Sequence, residues 1–300
     1  MKLKFVRNRF VIAATVMFSA ISGVQAGEGG GSSYNGGVEN FLAGAAPPPG
    51  FYVLSYANVY RANALKDGKG NDVPLPEFKV SANAVATRFV WSTPTRVAGG
   101  NVMLHAIVPL VDLKVQVPGL SQNKTGMGDI TFGPELAFHH SPSLHSVVGL
   151  DFVAPVGQYD KNNIANIGRN YWSMQPIYTV SHIDPAGFNG DFKLTGNFNQ
   201  RNNDTDYKSG SELYLDYSAG WGLGNGWVLG VGGYAMRQLS NDTRAGASLP
   251  GSKGEAFAIG PSLKYDNGTG WFITAKLQRE TAVKNRPEGN ALWIKTIIPF

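Results

Sequence analysis

The chain has 300 residues, no cysteine and a formal net charge of +5 at pH 7. Four of its 26 Lys and Arg residues and none of its 21 Asp and Glu residues lie within the first 26 positions, so the remainder carries 22 − 21 = +1. This near-neutral remainder gives no reason to expect a nucleic acid partner. The lack of cysteine excludes a disulfide framework.

Residues 1–26 have the pattern of an export signal. Basic residues, the last of them Arg9, precede an apolar run from Phe10 to Ile21, and small residues up to Ala26 suit a signal peptidase. The run is too short for a helix that crosses about 30 Å of hydrocarbon. We therefore predict that residues 1–26 form a cleaved signal peptide.

Residues 27–49 predict an N-terminal arm. The segment is rich in Gly and Ser, ends in three prolines, and cannot bury enough apolar surface to order alone. Val38, Phe41 and Leu42 nevertheless make it too apolar for a solvated tail, and the triproline is semi-rigid. We predict that the arm enters the periplasmic mouth of the domain that follows and narrows it, as a plug.

Residues 50–300 contain twelve stretches with alternating apolar and polar character, the weak but cumulative signal of a membrane barrel. They are residues 51–65, 78–92, 101–117, 128–140, 144–156, 170–183, 187–200, 209–222, 226–238, 254–266, 270–283 and 290–300. Tight turns alternate with six longer polar connections. This alternation predicts an all-β, 12-stranded antiparallel up-and-down transmembrane β-barrel in the bacterial outer membrane, with its short turns in the periplasm.

Strand periodicity also assigns the two faces of the wall. Charged residues predicted to line the lumen are Arg88, Asp129, Glu135, Asp191, Lys193, Glu212, Asp216, Lys264, Lys276, Glu280 and Lys295. They either brace one another as ion pairs or line a water-filled path. Leu104, Val108 and Leu110 are predicted to form an apolar strip inside the lumen, which either guides a hydrophobic solute or packs against the arm or an inward-folded loop.

Aromatic residues recur near the predicted periplasmic ends of the strands, as in the girdles of membrane barrels. They are Tyr52, Trp91, Phe188, Trp221, Trp227, Trp271 and Phe300. The last strand ends on Phe300, which is how bacterial outer-membrane barrels finish. The expected partners are therefore outer-membrane lipid and, through this strand, the barrel-assembly machinery.

Other motifs give weaker signals. The glycines at 126, 128 and 133 continue into a strand instead of a helix, which argues against a phosphate loop. The five histidines do not form a convergent ligand set, so we expect no metal and no cofactor. Neighbours such as Ser181 and His182 face opposite sides of a strand, which disfavours a nucleophilic pair.

Several segments resemble one outer-membrane family, named for its association with meta-pathway phenol degradation. They are residues 126–134 (GMGDITFGP), 178–192 (YTVSHIDPAGFNGDF), 212–221 (ELYLDYSAGW) and 293–300. The resemblance implies a twelve-stranded outer-membrane channel for passive uptake of small hydrophobic or aromatic molecules, with no catalytic residue. Two alternatives stay open: a lipid-modifying barrel enzyme, either a hydrolase or an acyltransferase, and a purely structural or adhesive barrel with an occluded lumen.

Overall fold

The computed structural model describes residues 26–298. Residues 1–25 of the predicted signal, Pro299 and Phe300 lie outside the described residues. No helix in the described part of the chain is long and apolar enough to cross a membrane. A 3₁₀ turn at Glu28–Gly30 precedes sixteen strands: β1 Gly50–Leu65, β2 Lys79–Val97, β3 Gly100–Val117, β4 Leu120–Met127, β5 Ile130–His139, β6 Leu144–Ala154, β7 Ser173–His182, β8 Phe188–Asn199, β9 Tyr207–Lys208, β10 Glu212–Gly222, β11 Trp227–Gln238, β12 Thr243–Arg244, β13 Ala247–Ser248, β14 Glu255–Asp266, β15 Phe272–Lys284 and β16 Pro287–Ile298.

The large sheet closes on itself. Strand β1 pairs antiparallel with both β2 and β16, and β2 also pairs with β3, so the described sheet completes a ring. Strands β4 and β5 share one position, because β4 pairs with residues 110–117 of β3 and β5 pairs with residues 101–107. The wall therefore has twelve strand positions, and the predicted antiparallel up-and-down barrel is confirmed.

The connections differ in length at the two ends. Five tight turns lie at one end, at residues 98–99, 140–143, 183–187, 223–226 and 267–271. The other end carries the long loops, including the small sheet of β9, β12 and β13. Short turns are periplasmic in outer-membrane barrels, so the long loops face the cell exterior.

Two predicted long connections are wrong. Residues 120–127 form β4, which follows β3 after Pro118 and Gly119 alone. The other is the connection between β15 and β16. It consists of Asn285 and Arg286 alone, because β16 begins at Pro287. Asn285 has φ 54°, a left-handed conformation that asparagine tolerates in a tight turn. Its side chain also donates to the Gly251 and Lys253 carbonyl oxygens of the neighbouring loop, which fixes the turn.

Strand β8 illustrates how the wall separates two environments. Phe188, Phe192, Leu194 and Phe198 are exposed, whereas Asn189, Asp191, Lys193, Thr195 and Asn197 between them are buried. Alternate side chains of a strand point to opposite faces. The exposed apolar face is therefore the outer one, and the polar face points inward.

Aromatic residues gather at the tight-turn end of the wall. Phe51 and Trp91 stack with their ring centroids 5.5 Å apart, and Trp227 packs on Tyr265 at 4.9 Å. Tyr52, predicted for this girdle, packs instead against the inner cluster around Val90 and Met103. Neighbouring residues of a strand face opposite sides, so Phe51 takes the outer position in place of Tyr52.

The predicted apolar lumen strip on β3 is also wrong. Leu104 and Leu110 are 42% and 61% exposed, whereas Met103 and His105 are buried, so Leu104, Val108 and Leu110 lie on the outer face. This strand is apolar on both faces, and hydrophobic alternation therefore does not choose its phase. The contacts of His105 with buried Arg88 and Asp151 place His105, and with it Met103, on the inner face.

Candidate functional site

The segment from residue 26 to residue 49 runs through the lumen from one end to the other; it is called the arm below. At the long-loop end the Ala26 N–H donates to the Asn285 carbonyl at 2.7 Å. At the tight-turn end Ser92 Oγ donates to the Pro47 carbonyl at 3.0 Å. Phe41, Glu39 and other arm residues between these points are buried. The chain's own N-terminal segment therefore fills much of the bore.

Asp216 on β10 is the main acceptor for the arm. Its carboxylate accepts hydrogen bonds from the Tyr34 hydroxyl at 2.9 Å, the Gly37 N–H at 2.8 Å and the Glu39 N–H at 3.0 Å. Gly37 has φ 79°, a conformation that glycine adopts without strain. This turn of the arm directs three donors at a single buried carboxylate, and such charge-assisted bonds are strong.

A second acceptor lies nearer the tight-turn end. Asp191 on β8 accepts the Ala43 N–H at 2.9 Å and also the Ser181 hydroxyl. Ser181 Oγ in turn accepts the Gly44 N–H at 2.7 Å. Two consecutive arm amides are thus satisfied by the wall, which removes the cost of burying them unpaired.

Two lysines supply donors from the opposite wall. Lys276 Nζ donates to the Glu39 carbonyl at 2.6 Å. Lys295 Nζ donates to Glu39 Oε2 and to the Phe41 carbonyl, both at 3.0 Å. Glu39 Oε1 also lies 3.8 Å from Arg88 Nη1. The lumen charges of this region therefore hold the arm and not only one another.

The Arg88 guanidinium organises a buried network beside Glu39. Its Nη2 donates to both Glu135 oxygens at 2.8 and 3.0 Å, and its Nε lies 3.1 Å from His105 Nδ1. His105 Nε2 lies 2.8 Å from Asp151 Oδ1. His105, Glu135 and Asp151 have donor atoms within 4.8 Å of one another, a metal-like spacing. The adjacent guanidinium contacts Glu135 and His105 Nδ1 and would repel a cation, so we interpret the group as an ion-pair network.

The remaining predicted lumen residues fall into two groups. Two of them contact the arm: Glu212 accepts a hydrogen bond from Ser32 as well as from Asn197, and Lys193 lies 5.4 Å from the Tyr34 ring centroid. Glu280 accepts hydrogen bonds from Tyr60 and Gly289 of the wall, and Lys264 is buried on the inner face. Asp129 takes no part in these arm contacts. The β4–β5 break lies at Gly128 and Asp129, and the Asp129 carboxylate accepts the Gly157 and Arg169 N–H groups of an outer loop at 2.9 and 2.7 Å.

A cavity of about 640 Å³ opens at the tight-turn end of the lumen; it is called the vestibule. Its apolar wall includes Leu54, Val90, Met103, Val147 and Ile177. The arm closes one side, and the inner end is charged, with Glu39, Arg88, Glu135, Lys193 and Lys295 among its lining residues. The sequence analysis did not predict this apolar section of the lumen. The available signal was that some strands, such as β1, carry apolar residues on both faces.

The loops at the exterior hold the other end of the arm. The Tyr159 hydroxyl donates to Glu28 Oε1 at 3.3 Å, and Asn202 Nδ2 donates to Glu28 Oε2 at 2.7 Å. Burial, together with the negative charge of Glu28, raises the pKa of Tyr159 to about 12. This phenol therefore keeps its proton and remains a donor to the arm at neutral pH.

The side chains of Ser181 and His182, the pair considered from the sequence, point to opposite faces of β7. Ser181 points inward and bonds to Asp191, whereas His182 lies on the other face, its Nδ1 3.0 Å from the Phe188 carbonyl oxygen. A nucleophilic pair needs the two side chains within hydrogen-bond reach. The geometry of these two residues does not provide that contact.

The closed sheet, the apolar outer surface and the occupied polar lumen together define a twelve-stranded outer-membrane β-barrel. The chain belongs to the family described as "Putative MetA-pathway of phenol degradation", whose pattern matches residues 62–296. This confirms the resemblance drawn from its sequence segments.

The chain was also compared with solved structures. The crystal structure of the COG4313 outer membrane channel from Pseudomonas putida F1 aligns with a TM-score of 0.75 at 16% identity, covering 87% of this chain and 100% of that one. The CymD monoaromatic hydrocarbon channel aligns at 0.46 with 12% identity, covering 93% and 98%, and the KdgM porin at 0.39 with 8% identity, covering 83% and 99%. No curated protein matches the chain significantly by sequence. The first of these likenesses supports the fold.

Proposed function

We propose that this barrel is a passive outer-membrane channel for small, largely apolar molecules, aromatic ones included, and that the arm controls passage. The vestibule carries the proposal: its volume of about 640 Å³ and mainly apolar lining have the size and character of a small-molecule site. The family's description names phenol degradation, and the similar Pseudomonas barrel is an outer membrane channel. Both support the same class of function.

The vestibule favours apolar solutes without trapping them. Burying apolar surface is favourable by roughly 25 cal/mol per Å², so a small ring gains only a few kcal/mol at this wall. Binding of that strength permits both entry and exit, which passive conduction requires. At the inner end, Glu39 with its Lys295 and Arg88 partners lies across the path. Passage beyond this point requires the arm to move.

The role of the vestibule is tested with a bulky substitution on its wall and a matched substitution on the outer face of the same strand. Met103→Trp adds bulk on the inner face of β3, whereas Leu104→Trp, one residue along, adds the same bulk on the lipid face. A strain lacking this protein, complemented with each variant, is grown on a limiting aromatic carbon source. We expect Met103→Trp to slow growth and Leu104→Trp to match wild type. Equal growth of both, with equal amounts in the outer membrane, contradicts the proposal.

The role of the arm is tested by removing it. Deleting residues 27–48 leaves β1 and the whole closed wall in place, because β1 begins at Gly50. We expect the deletion to raise single-channel conductance in planar bilayers. Unchanged conductance by a correctly folded barrel contradicts the proposed plug.

We further propose that outer-membrane lipid surrounds the wall and that the barrel-assembly machinery recognises the C-terminal segment of the chain, up to and including Phe300. The closing position of β16, paired with both β1 and β15, supports this role. Removing Phe300 should lower the amount of assembled barrel in the outer membrane. Normal assembly of the truncated chain would argue against it.

We propose transport and not catalysis as the activity. The divergence of Ser181 and His182 supports this choice over the hydrolase or acyltransferase alternative. Purified wild-type barrel is expected to show no phospholipid turnover. Turnover that disappears in a Ser181→Ala variant would reverse the assignment.

A further inference from the structure

Asp242 is a buried carboxylate at the exterior end of the lumen, in the loop between β11 and β12. It is 0% exposed. Its oxygens accept from the Gly27 N–H at 2.9 Å, the Gly210 N–H at 2.7 Å and Gln238 Nε2 at 2.7 Å, and also from the Tyr207 hydroxyl. Four donors from three parts of the chain therefore converge on one acid.

The charge of this acid lacks a side-chain counterpart. Within residues 26–298, no Lys, Arg or His nitrogen forms a salt bridge of 4.0 Å or less with Asp242; the guanidinium of Arg244 lies over the Tyr207 ring instead, 5.3 Å from its centroid. Burial and the neighbouring Asp242 charge raise the pKa of Tyr207, so its hydroxyl is a neutral donor. A buried carboxylate without a cation is costly, and such groups are normally paired.

The missing cation is supplied by the predicted processing of the chain. Cleavage after Ala26 would convert the Gly27 amide nitrogen, already 2.9 Å from Asp242 Oδ2, into an α-ammonium group. The Asn285 carbonyl, which accepts the Ala26 N–H at 2.7 Å, would become free to accept from that group. Capture of a chain terminus by a charge and surrounding backbone groups is a known mode of recognition.

We propose that Asp242 is a binding site for the α-ammonium of Gly27 produced by signal cleavage, and that this ion pair fixes the exterior end of the arm. The site makes arm insertion depend on the correct terminus. A chain that begins elsewhere presents an amide, or an ammonium in the wrong place, to the same buried acid. The proposal concerns processing and arm attachment, and it stands independently of which solutes pass through the barrel.

The test uses processed protein purified from outer membranes. Intact-mass analysis is expected to give a chain that starts at Gly27. The folded barrel and a urea-unfolded sample are then labelled at one fixed pH with 2-pyridinecarboxaldehyde, a reagent selective for N-terminal amines. We expect labelling of the folded wild type to be about 100-fold slower, because the amine reacts only when the arm end opens.

A charge-neutral variant separates pairing from simple burial. Asp242→Asn is expected to label about tenfold or more faster than wild type when folded. Asp204→Asn, an exposed acid in a neighbouring loop at the same mouth, serves as the matched control and should label as wild type does. A different mature terminus, or folded wild type that labels as fast as the unfolded chain, overturns the proposal. Equal slow labelling of Asp242→Asn also overturns it, and if that variant does not fold, the two wild-type measurements decide.

Discussion

The ion pair between Glu39 and Lys295 makes a quantitative prediction about the arm. Glu39 is 7% exposed and Lys295 3% exposed, and their charged atoms lie 3.0 Å apart. Glu39→Gln removes the negative charge and leaves the lysine buried. Removing one partner of a buried pair costs about 3–5 kcal/mol. Lys295 keeps the Phe41 carbonyl as an acceptor at 3.0 Å, so we take the lower end, about 3 kcal/mol.

This cost falls on the arm and not on the wall, since the strands pair without it. A shift of about 3 kcal/mol in the balance between inserted and released arm corresponds to a change of roughly 100-fold. Glu39→Gln should therefore raise the frequency of open events in planar bilayers by about that factor while the barrel remains folded. Open events of this variant should reach the conductance of the barrel lacking residues 27–48.

The control is Glu77→Gln, which removes the same charge from an exposed position in the loop between β1 and β2. It should gate as wild type does. An unchanged open frequency in Glu39→Gln, measured on barrel that migrates as folded on gels, would refute the reasoning. A fall in the melting temperature of the whole barrel would show instead that the pair stabilises the wall.

Two further predictions concern other parts of the molecule. Asp216→Asn removes the charge that accepts three arm donors, and it should expose the arm to limited proteolysis at least tenfold faster, at about 1.4 kcal/mol per factor of ten; cleavage at the wild-type rate would mean that these bonds do not secure the arm. Val108→Arg places a charge on the outer face of β3, four residues beyond Leu104, which pairs with the girdle residue Trp91, and should destabilise the barrel by about 2–4 kcal/mol in urea refolding into vesicles; a neutral effect would return this residue to the lumen.

Strand pattern and turn chemistry in the sequence were sufficient for the class of fold. Alternation along segments such as Phe188–Asn199 states directly which side chains meet lipid, because a period of two follows from strand geometry. Tight turns on one side and long loops on the other then set the topology. The pattern did not assign the faces of β3 correctly, because both of its faces are apolar. A phase error of one residue placed Leu104 inside the lumen instead of on the outer face.

What the sequence determined by itself is the barrel, since closure and orientation follow from local periodicity and the needs of backbone polar groups in lipid. Only the tertiary structure decided what the inner charges do. Glu39 meets Lys295, and Gly27 meets Asp242, across separations of more than two hundred residues. No local pattern encodes those meetings, because they depend on the wall closing around the arm and on where each strand's register places its charges.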